Sequence, residues 1–411
     1  MGYSRQAMKG VSWLGAFRLL FRSFSYIKLA IIARILSPES FGAADVAIIV
    51  LAFVEIITET GINVFLIQEK DDIDDYINTA WVISIVRGFL IGVLVYLCSS
   101  LISAFFHSTD SQWLLVLISI VPIVRGFINP SVIKFLKDLE YNKQFYYKSS
   151  IAIIEVISVI FFVLLLRDAS GIVWGMVISA IWEVMLTFMV ASPRPLFSFS
   201  LNIFFKIIKR GKWLTFAGIF DYLYLNLDNI IVGRLLGTSS LGLYMRAYGL
   251  SLLPITEISD VFNQATFPIY VKMRNDTERL KNAFFKTLMT VAVCVIPVGL
   301  LFYMFPREII RVVLGDQWIS SVVVLQTLAF YGIIRAILRT AIGFFYSLQR
   351  QDIVTKLTAI NLIGLAVTVI PFINLWGLVG AGLSAVFGTV LSIPFTVYYV
   401  NSVLKNLKTD A

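Results

Sequence analysis

Residues 31–36 read Ile-Ile-Ala-Arg-Ile-Leu, and residues 231–236 read Ile-Val-Gly-Arg-Leu-Leu. Outward from these hexapeptides, and without a gap, Lys9, Trp13 and Leu14 match Lys209, Trp213 and Leu214, while Ser40 and Gly42 match Ser240 and Gly242. Residues 9–42 against 209–242 give 8 identities in 34 positions, where so biased a composition would give about three by chance. With small gaps, Ser111-Gln112-Trp113 echoes Asp316-Gln317-Trp318, and Ile123-Val124-Arg125 echoes Ile333-Ile334-Arg335. The chain therefore reads as two copies of one unit.

Composition says what kind of unit. Of 411 residues, 58% are apolar and 14% charged, with a mean hydropathy of +0.86. Soluble folds carry roughly 45–50% apolar and about 25% charged residues, so a fold of this size could not cover its surface in water. A soluble enzyme, a disordered chain and a secreted disulfide scaffold are excluded. Cys98 and Cys294 lie far apart in apolar stretches and read as small apolar filler. Together with the single His107 they cannot assemble a zinc, haem or iron–sulfur site, so neither metal nor cofactor is expected.

A bilayer core about 30 Å thick needs about 20 helical residues. Twelve apolar segments meet that length: 11–35, 43–67, 78–104, 113–135, 149–166, 171–191, 213–236, 241–266, 285–305, 321–346, 354–373 and 376–400. They are helices, because backbone exposed to lipid must satisfy its own hydrogen bonds. Six spans per copy restore the same orientation at the start of the second, which makes the repeat parallel, about an axis along the membrane normal. The expected fold is an all-α integral membrane protein with twelve transmembrane helices. Its two pseudo-symmetric six-helix lobes are residues 1–200 and 201–411. Transporters often have this build, with the substrate between the halves and access alternating by rocking.

Lysine and arginine set the orientation. With the N-terminus inside, 21 of the 34 fall in inside connectors, only Arg167, Arg307 and Arg311 fall outside, and 10 lie within spans. Both termini are thus expected in the cytoplasm, and the net charge of +9 serves topology rather than nucleic-acid binding. The acidic run Asp71, Asp72, Asp74, Asp75 reads as a solvated inside loop. The first span is no cleavable signal, since charge interrupts its apolar core. Seven of the eight tryptophans fall near the expected interfaces, and Trp182 sits at mid-span.

An ionisable group at mid-bilayer costs about 2.5–3.5 kcal/mol by insertion scales. Arg34, Arg234 and Arg246 are near span ends and can snorkel. Arg18, Arg22, Arg87, Arg125, Arg335 and Arg339 sit deeper, and with Lys28 they are the candidate substrate-binding cations. In the first span Arg18 and Arg22 share a stripe with Gly15 and Ser25, opposite Phe17, Leu20 and Phe24. In the repeat alignment Lys28 corresponds to Asp228 and Phe21 to Asp221, so the leading helix of the first half is basic and that of the second acidic. Asp221, Asp228, Glu55 and Glu59 are candidate gating or coupling acids. The bland alternative is that these acids, with Glu155, Glu183, Glu257 and Asp260, merely pair with the basic groups. A basic cavity suits an anionic passenger, and pyrophosphate fits arginine forks. Pro122 and Pro130 are expected to interrupt the fourth span, Pro254 and Pro268 to flank the eighth and Pro297 to break the ninth, as static kinks or hinges.

Arg34-Ile-Leu-Ser-Pro-Glu-Ser-Phe-Gly42 resembles the turn after the first span of bacterial polysaccharide-repeat-unit flippases, in the multidrug/oligosaccharidyl-lipid/polysaccharide exporter superfamily. Asn226-Leu-Asp-Asn-Ile-Ile-Val-Gly-Arg-Leu-Leu-Gly237, then Leu241-Gly-Leu-Tyr244 and Phe267-Pro268, resembles its seventh and eighth spans, and Leu314-Gly-Asp-Gln-Trp318 the turn before its tenth. The resemblance implies transfer of undecaprenyl-pyrophosphate-linked glycans from inner to outer leaflet of the bacterial inner membrane, through a cationic central cavity. It implies a polysaccharide polymerase and chain-length machinery as partners, and no nucleic acid. Many members have fourteen helices, whereas this chain is expected to have twelve. Two alternatives are a drug or ion antiporter of the same superfamily, which would want a net acidic cavity, and a membrane glycan polymerase or glycosyltransferase, which would want a large outside loop or soluble domain. A major-facilitator transporter lacks support, because the connector between spans two and three is acidic.

Overall fold

The computed structural model describes residues 24–69, 73–274 and 276–409, without the side chains of 210–214, 216, 217, 253 and 406–409. Arg5, Lys9, Trp13, Arg18, Arg22, Lys70, Asp71 and Asp72 lie outside the described residues, as do the side chains of Arg210, Lys212, Trp213 and Lys408.

The regular elements among the described residues are all helical. α1 is described over Phe24–Ala33. It is followed by α2 (Pro38–Ile57), α3 (Ile62–Gln68), α4 (Asp74–Phe106), α5 (Thr109–Ile118), α6 (Ile120–Arg125), a 3₁₀ turn at Pro130–Ile133, α7 (Lys134–Lys137), α8 (Tyr141–Leu166) and α9 (Ser170–Val190). Then come α10 (Leu201–Lys272), α11 (Thr277–Met304), α12 (Pro306–Val313), a second 3₁₀ turn at Asp316–Ser321, α13 (Val322–Ser347) and α14 (Gln351–Thr409). Seven of these stretches are long and apolar enough to cross a bilayer.

Local chemistry sets the boundaries. Ser37 caps α2 by accepting from the Ser40 N–H, with Pro38 in the first turn where its missing donor costs nothing. α2 stops at Ile57 rather than continuing to 67, because Gly61 turns the chain in the left-handed region (φ 69°) before α3. The predicted fourth span is not one rod: Thr109–Arg125 and Pro130–Lys137 meet at 75°. Pro130 cannot donate to a continuing helix, and Asn129 receives the chain by accepting from the Ser131 N–H. α11 differs from expectation, running unbroken through Pro297. At 1.5 Å per residue, the 59 residues of α14 and the 72 of α10 exceed any single crossing. Each is broken at one glycine, Gly377 (φ 57°) and Gly237 (φ 81°).

The fold resolves into two compact units, one ending at Tyr222 and the other beginning at Leu223, within α10. The first has a core of Ala47, Leu51, Val95, Leu115, Ile118, Val173 and Val177. The second is centred on Phe284, Phe344, Phe345, Leu357 and Val403. The start of α10 belongs to the first unit. Ile207 packs with Phe65 and Ile77, the Lys206 ammonium donates to the Tyr76 hydroxyl (2.5 Å) and pairs with Glu69 (3.2 Å), and the Tyr222 hydroxyl donates to the Ile49 carbonyl. Apolar side chains on outward faces, such as Ile157 and Phe161 (both 57% exposed), are what a bilayer solvates.

Candidate functional site

In the first unit α4 and α6 touch backbone to backbone. A Cβ on Gly88 would lie 2.4 Å from the Pro122 carbonyl and 3.1 Å from the Gly126 Cα. Each of these glycines follows an arginine, Arg87 and Arg125, so the close approach brings both guanidinium groups to one cleft of about 640 Å³. Its lining includes Glu55, Glu59, Thr60, Asn63, Arg87, Arg125, Gln144, Tyr147, Lys148 and Glu183.

The two arginines differ in commitment. Arg87 is held at the end of α2 by three hydrogen bonds: its Nη2 donates to the Glu55 carbonyl (2.6 Å) and the Glu59 carboxylate (3.2 Å), and its Nε donates to the Thr58 hydroxyl (3.3 Å). Thr58 in turn donates to the Val54 carbonyl, and Glu59 accepts from the Gly61 N–H, so the helix end and the arginine hold each other. Arg125 stands between two carboxylates, its Nη1 4.0 Å from Glu55 and its Nε 4.0 Å from Glu183. Its Nε is buried and makes no hydrogen bond. That leaves one buried donor unspent on a side chain that is otherwise 35% exposed to the cleft, a costly arrangement for that N–H unless another acceptor arrives.

Three cations, Arg87, Arg125 and Lys148, thus face three carboxylates, Glu55, Glu59 and Glu183. The cleft of the first unit is charge-balanced, not a bare basic surface. Lys28 is paired with Glu155 at 2.6 Å. Arg18 and Arg22, also expected in a cavity, lie outside the described residues.

The second unit handles its charges differently. Arg335 donates to the hydroxyls of Tyr248 (2.7 Å) and Tyr331 (2.8 Å), and its guanidinium lies 5.4 Å from the Tyr224 ring centre. Three tyrosines supply acceptors and π faces where lipid would supply neither. Asp228 is buried, accepting from the Tyr244 hydroxyl (2.8 Å) and from the Asn229 N–H. It lines a small polar pocket with Tyr224, Tyr248, Tyr331, Asn361 and Thr389. Asp221 is exposed, so the two acids placed on one face by spacing have different surroundings. Arg339 is bound to Asp260 at 2.6 Å.

Sequence reasoning passed over Tyr147, Lys148 and Glu183 as site residues. In the sequence Glu183 stands out only as an acid that could pair with a basic group, and Lys148 is one of the 21 cations of the inside connectors. The signal lay in the α8–α9 pairing: Gly175 packs on Val159 and Gly171 on Val163. That antiparallel register sets Glu183 near Ile151, one turn from Tyr147 and Lys148.

Fold and site define the class: a polytopic helical membrane protein with a charge-lined cleft, the build of a carrier. The chain belongs to the family described as "Polysaccharide biosynthesis protein", whose model matches residues 31–323. It is 24% identical over 409 residues to the lipopolysaccharide biosynthesis protein WzxC of Escherichia coli (strain K12), covering 98% of this chain and 81% of that one. It is 23% identical over 364 residues to the teichuronic acid biosynthesis protein TuaB of Bacillus subtilis (strain 168), covering 85% and 73%. Among solved structures it resembles the lipid II flippase MurJ in an inward closed conformation, with a TM-score of 0.77, 16% identity, and coverage of 96% and 89%.

Proposed function

We propose that the protein is a flippase that moves an undecaprenyl-pyrophosphate-linked oligosaccharide from the inner to the outer leaflet of the bacterial cytoplasmic membrane. The observation that carries this reading is Arg125: a guanidinium with an unspent buried donor in a cleft large enough for a diphosphate and a first sugar. Arg125 is the primary contact for the pyrophosphate. Arg18, Arg22 and Arg335 are further contacts as the glycolipid crosses, Lys28 and Arg339 join them only by exchanging Glu155 and Asp260 for the cargo, and the isoprenoid tail remains in lipid. Membership of a polysaccharide biosynthesis family, and flippase and glycan-biosynthesis names on its relatives, support this cargo over a drug.

Twelve crossings follow if α10 and α14 each count twice, at Gly237 and Gly377, and the bent pair counts once with α1. Both termini then face the cytoplasm, and the two six-helix halves alternate access. Asp228 and Asp221 in the seventh span, with Glu55 and Glu59, gate or couple that motion. A polymerase and chain-length machinery act on the delivered units. No bond is made or broken by the carrier.

The balanced charge of the first cleft keeps a second reading in play, a cation antiporter. One assay separates them. In proteoliposomes loaded with a fluorescent lipid-linked oligosaccharide, the parent exposes the label to an outside quencher, and Arg125→Ala lowers that rate at least about tenfold, the worth of one charge-assisted contact. Equal rates at equal reconstitution, or uptake of cationic dyes in place of glycolipid, defeat the flippase reading.

A further inference from the structure

We infer that the cleft of the first unit contains an oxyanion subsite built from Arg125, Tyr147 and Lys148, at which Glu183 stands as an internal counterion that a phosphate or pyrophosphate group displaces. The inference rests on the flippase reading and deepens it, since it says where the pyrophosphate is held and what must leave first.

Three donors from two elements converge on one carboxylate. The Tyr147 hydroxyl donates to Glu183 Oε1 at 2.7 Å, the Lys148 ammonium lies 3.5 Å from the same oxygen, and Arg125 Nε lies 4.0 Å from Oε2. Glu183 itself is only 8% exposed. Lys148 is half-exposed, its ammonium resting 4.8 Å from the centre of the Tyr147 ring, so it reaches the cleft from the open side. A carboxylate and a phosphate ester are both oxyanions that take Arg, Lys and hydroxyl donors at similar spacing. A constellation that holds one is shaped for the other.

Two features mark Glu183 as the displaced group rather than a fixed strut. The first is that Arg125 remains at 4.0 Å from it, with its buried Nε unbonded, instead of closing to the 2.7–2.9 Å of a settled ion pair. The other is the charge count: three cations are matched by three carboxylates in one cleft. A diphosphate carries about two negative charges and cannot be added there without taking cations away from carboxylates. Glu59 is tied to the end of α2 through Arg87 and the Gly61 N–H, and the Glu55 carboxylate meets Arg125 alone among the cleft cations, at 4.0 Å. Glu183, which gathers Tyr147, Lys148 and Arg125 and whose partners are all side chains of the cleft, is the acid that holds the most donors to yield. Competition of this kind weakens ground-state binding and helps release the cargo at the far leaflet.

The test uses full-length protein in detergent micelles, titrated calorimetrically with farnesyl pyrophosphate, a short prenyl diphosphate. Glu183→Gln keeps shape and removes charge, and it should tighten binding at least about tenfold. Lys148→Ala in the same background should reverse most of that gain, and Lys148→Ala alone should weaken the parent about tenfold. Inorganic pyrophosphate should compete in each case, because the subsite reads the oxyanion and not the tail. Affinity unchanged or weaker in Glu183→Gln with melting temperature intact, or no competition at a hundredfold excess of inorganic pyrophosphate, overturns the subsite. Should Glu183→Gln fail to fold, Lys148→Ala and Tyr147→Phe carry the test alone, and affinities within twofold of the parent overturn it. In vesicles, Glu183→Gln should lower both the half-saturating glycolipid concentration and the maximal rate, a split that mere structural damage does not produce. Binding that follows this pattern without any glycolipid transport by the parent would sink the flippase reading and leave the subsite. Transport without the binding pattern would do the reverse.

Discussion

Arg87 and Arg125 show how one residue type takes two roles in one cleft. Arg87 satisfies the Glu55 carbonyl near the end of α2, the Thr58 hydroxyl and the Glu59 carboxylate, so its removal leaves three part-buried acceptors open. Arg87→Met should therefore destabilise the protein by about 1–3 kcal/mol, seen as a lower melting temperature in detergent. Arg125→Met should leave that temperature within a degree or two and act on transport instead. Equal thermal penalties for both would mean that Arg125 is as structural as Arg87. Sequence alone marked both as deep arginines but could not rank them, because the ranking depends on which acceptors the fold brings near. Arg335 makes the same point. Its depth was legible at Ile333-Ile-Arg335, but its partners are Tyr224, Tyr248 and Tyr331, and two of those three lie on another helix. The bland pairing reading fares well for Lys28 with Glu155 and for Arg339 with Asp260.

At the scale of elements, the site depends on how closely α4 and α6 approach. Gly88 permits it, since any side chain there runs into the Pro122 carbonyl. Gly88→Ala should cost about 1–3 kcal/mol as an overpacking change and lower transport by spreading Arg87 from Arg125. Gly249→Ala, where an added Cβ meets nothing within 4 Å, is the matched control and should leave both measurements unchanged. The break in the fourth span was legible from Pro122 and Pro130, whereas the continuity of α11 through Pro297 was not. A proline removes one hydrogen bond, and tertiary packing decides whether the helix turns aside or absorbs the loss. The first turns of α10 are stapled by Lys206, whose pKa is raised first by its hydrogen bond to Tyr76 and then by Glu69. A raised pKa means the staple is complete below the ordinary lysine range near pH 10.4 and is lost as pH climbs through the higher folded value. Lys206→Met should mimic that loss at neutral pH, measured as faster proteolysis of the 192–200 connector.

For the whole molecule, the sequence carried the architecture further than it carried the site. Apolar length and lysine–arginine bias are properties of whole segments, and a bilayer enforces them one crossing at a time. The repeat likewise is a pattern spread over many residues, and single side-chain partners are not. The partition within α10 at Tyr222 was invisible for the same reason. Only packing shows that the hydroxyl of Tyr222 bonds Ile49 and that Thr215 bonds the Glu59 carbonyl, fixing the early part of α10 to the first unit. The orientation derived from charge bias can be checked directly. In a background with Cys98→Ala and Cys294→Ala, a cysteine at Ser198 should resist a membrane-impermeant maleimide added to intact cells and react once the cells are opened. A cysteine at Asp110 should react from outside without opening. The opposite pattern would invert the molecule and place Arg125, Lys148 and Glu183 toward the leaflet where a flippase releases cargo rather than the one where it loads. The same labelling with and without glycolipid tests alternating access, because a carrier that exchanges inward and outward forms must change the reactivity of a cysteine at Asn63, within the cleft, when cargo is added. Unchanged reactivity there under saturating glycolipid would leave a binding protein without a transport cycle.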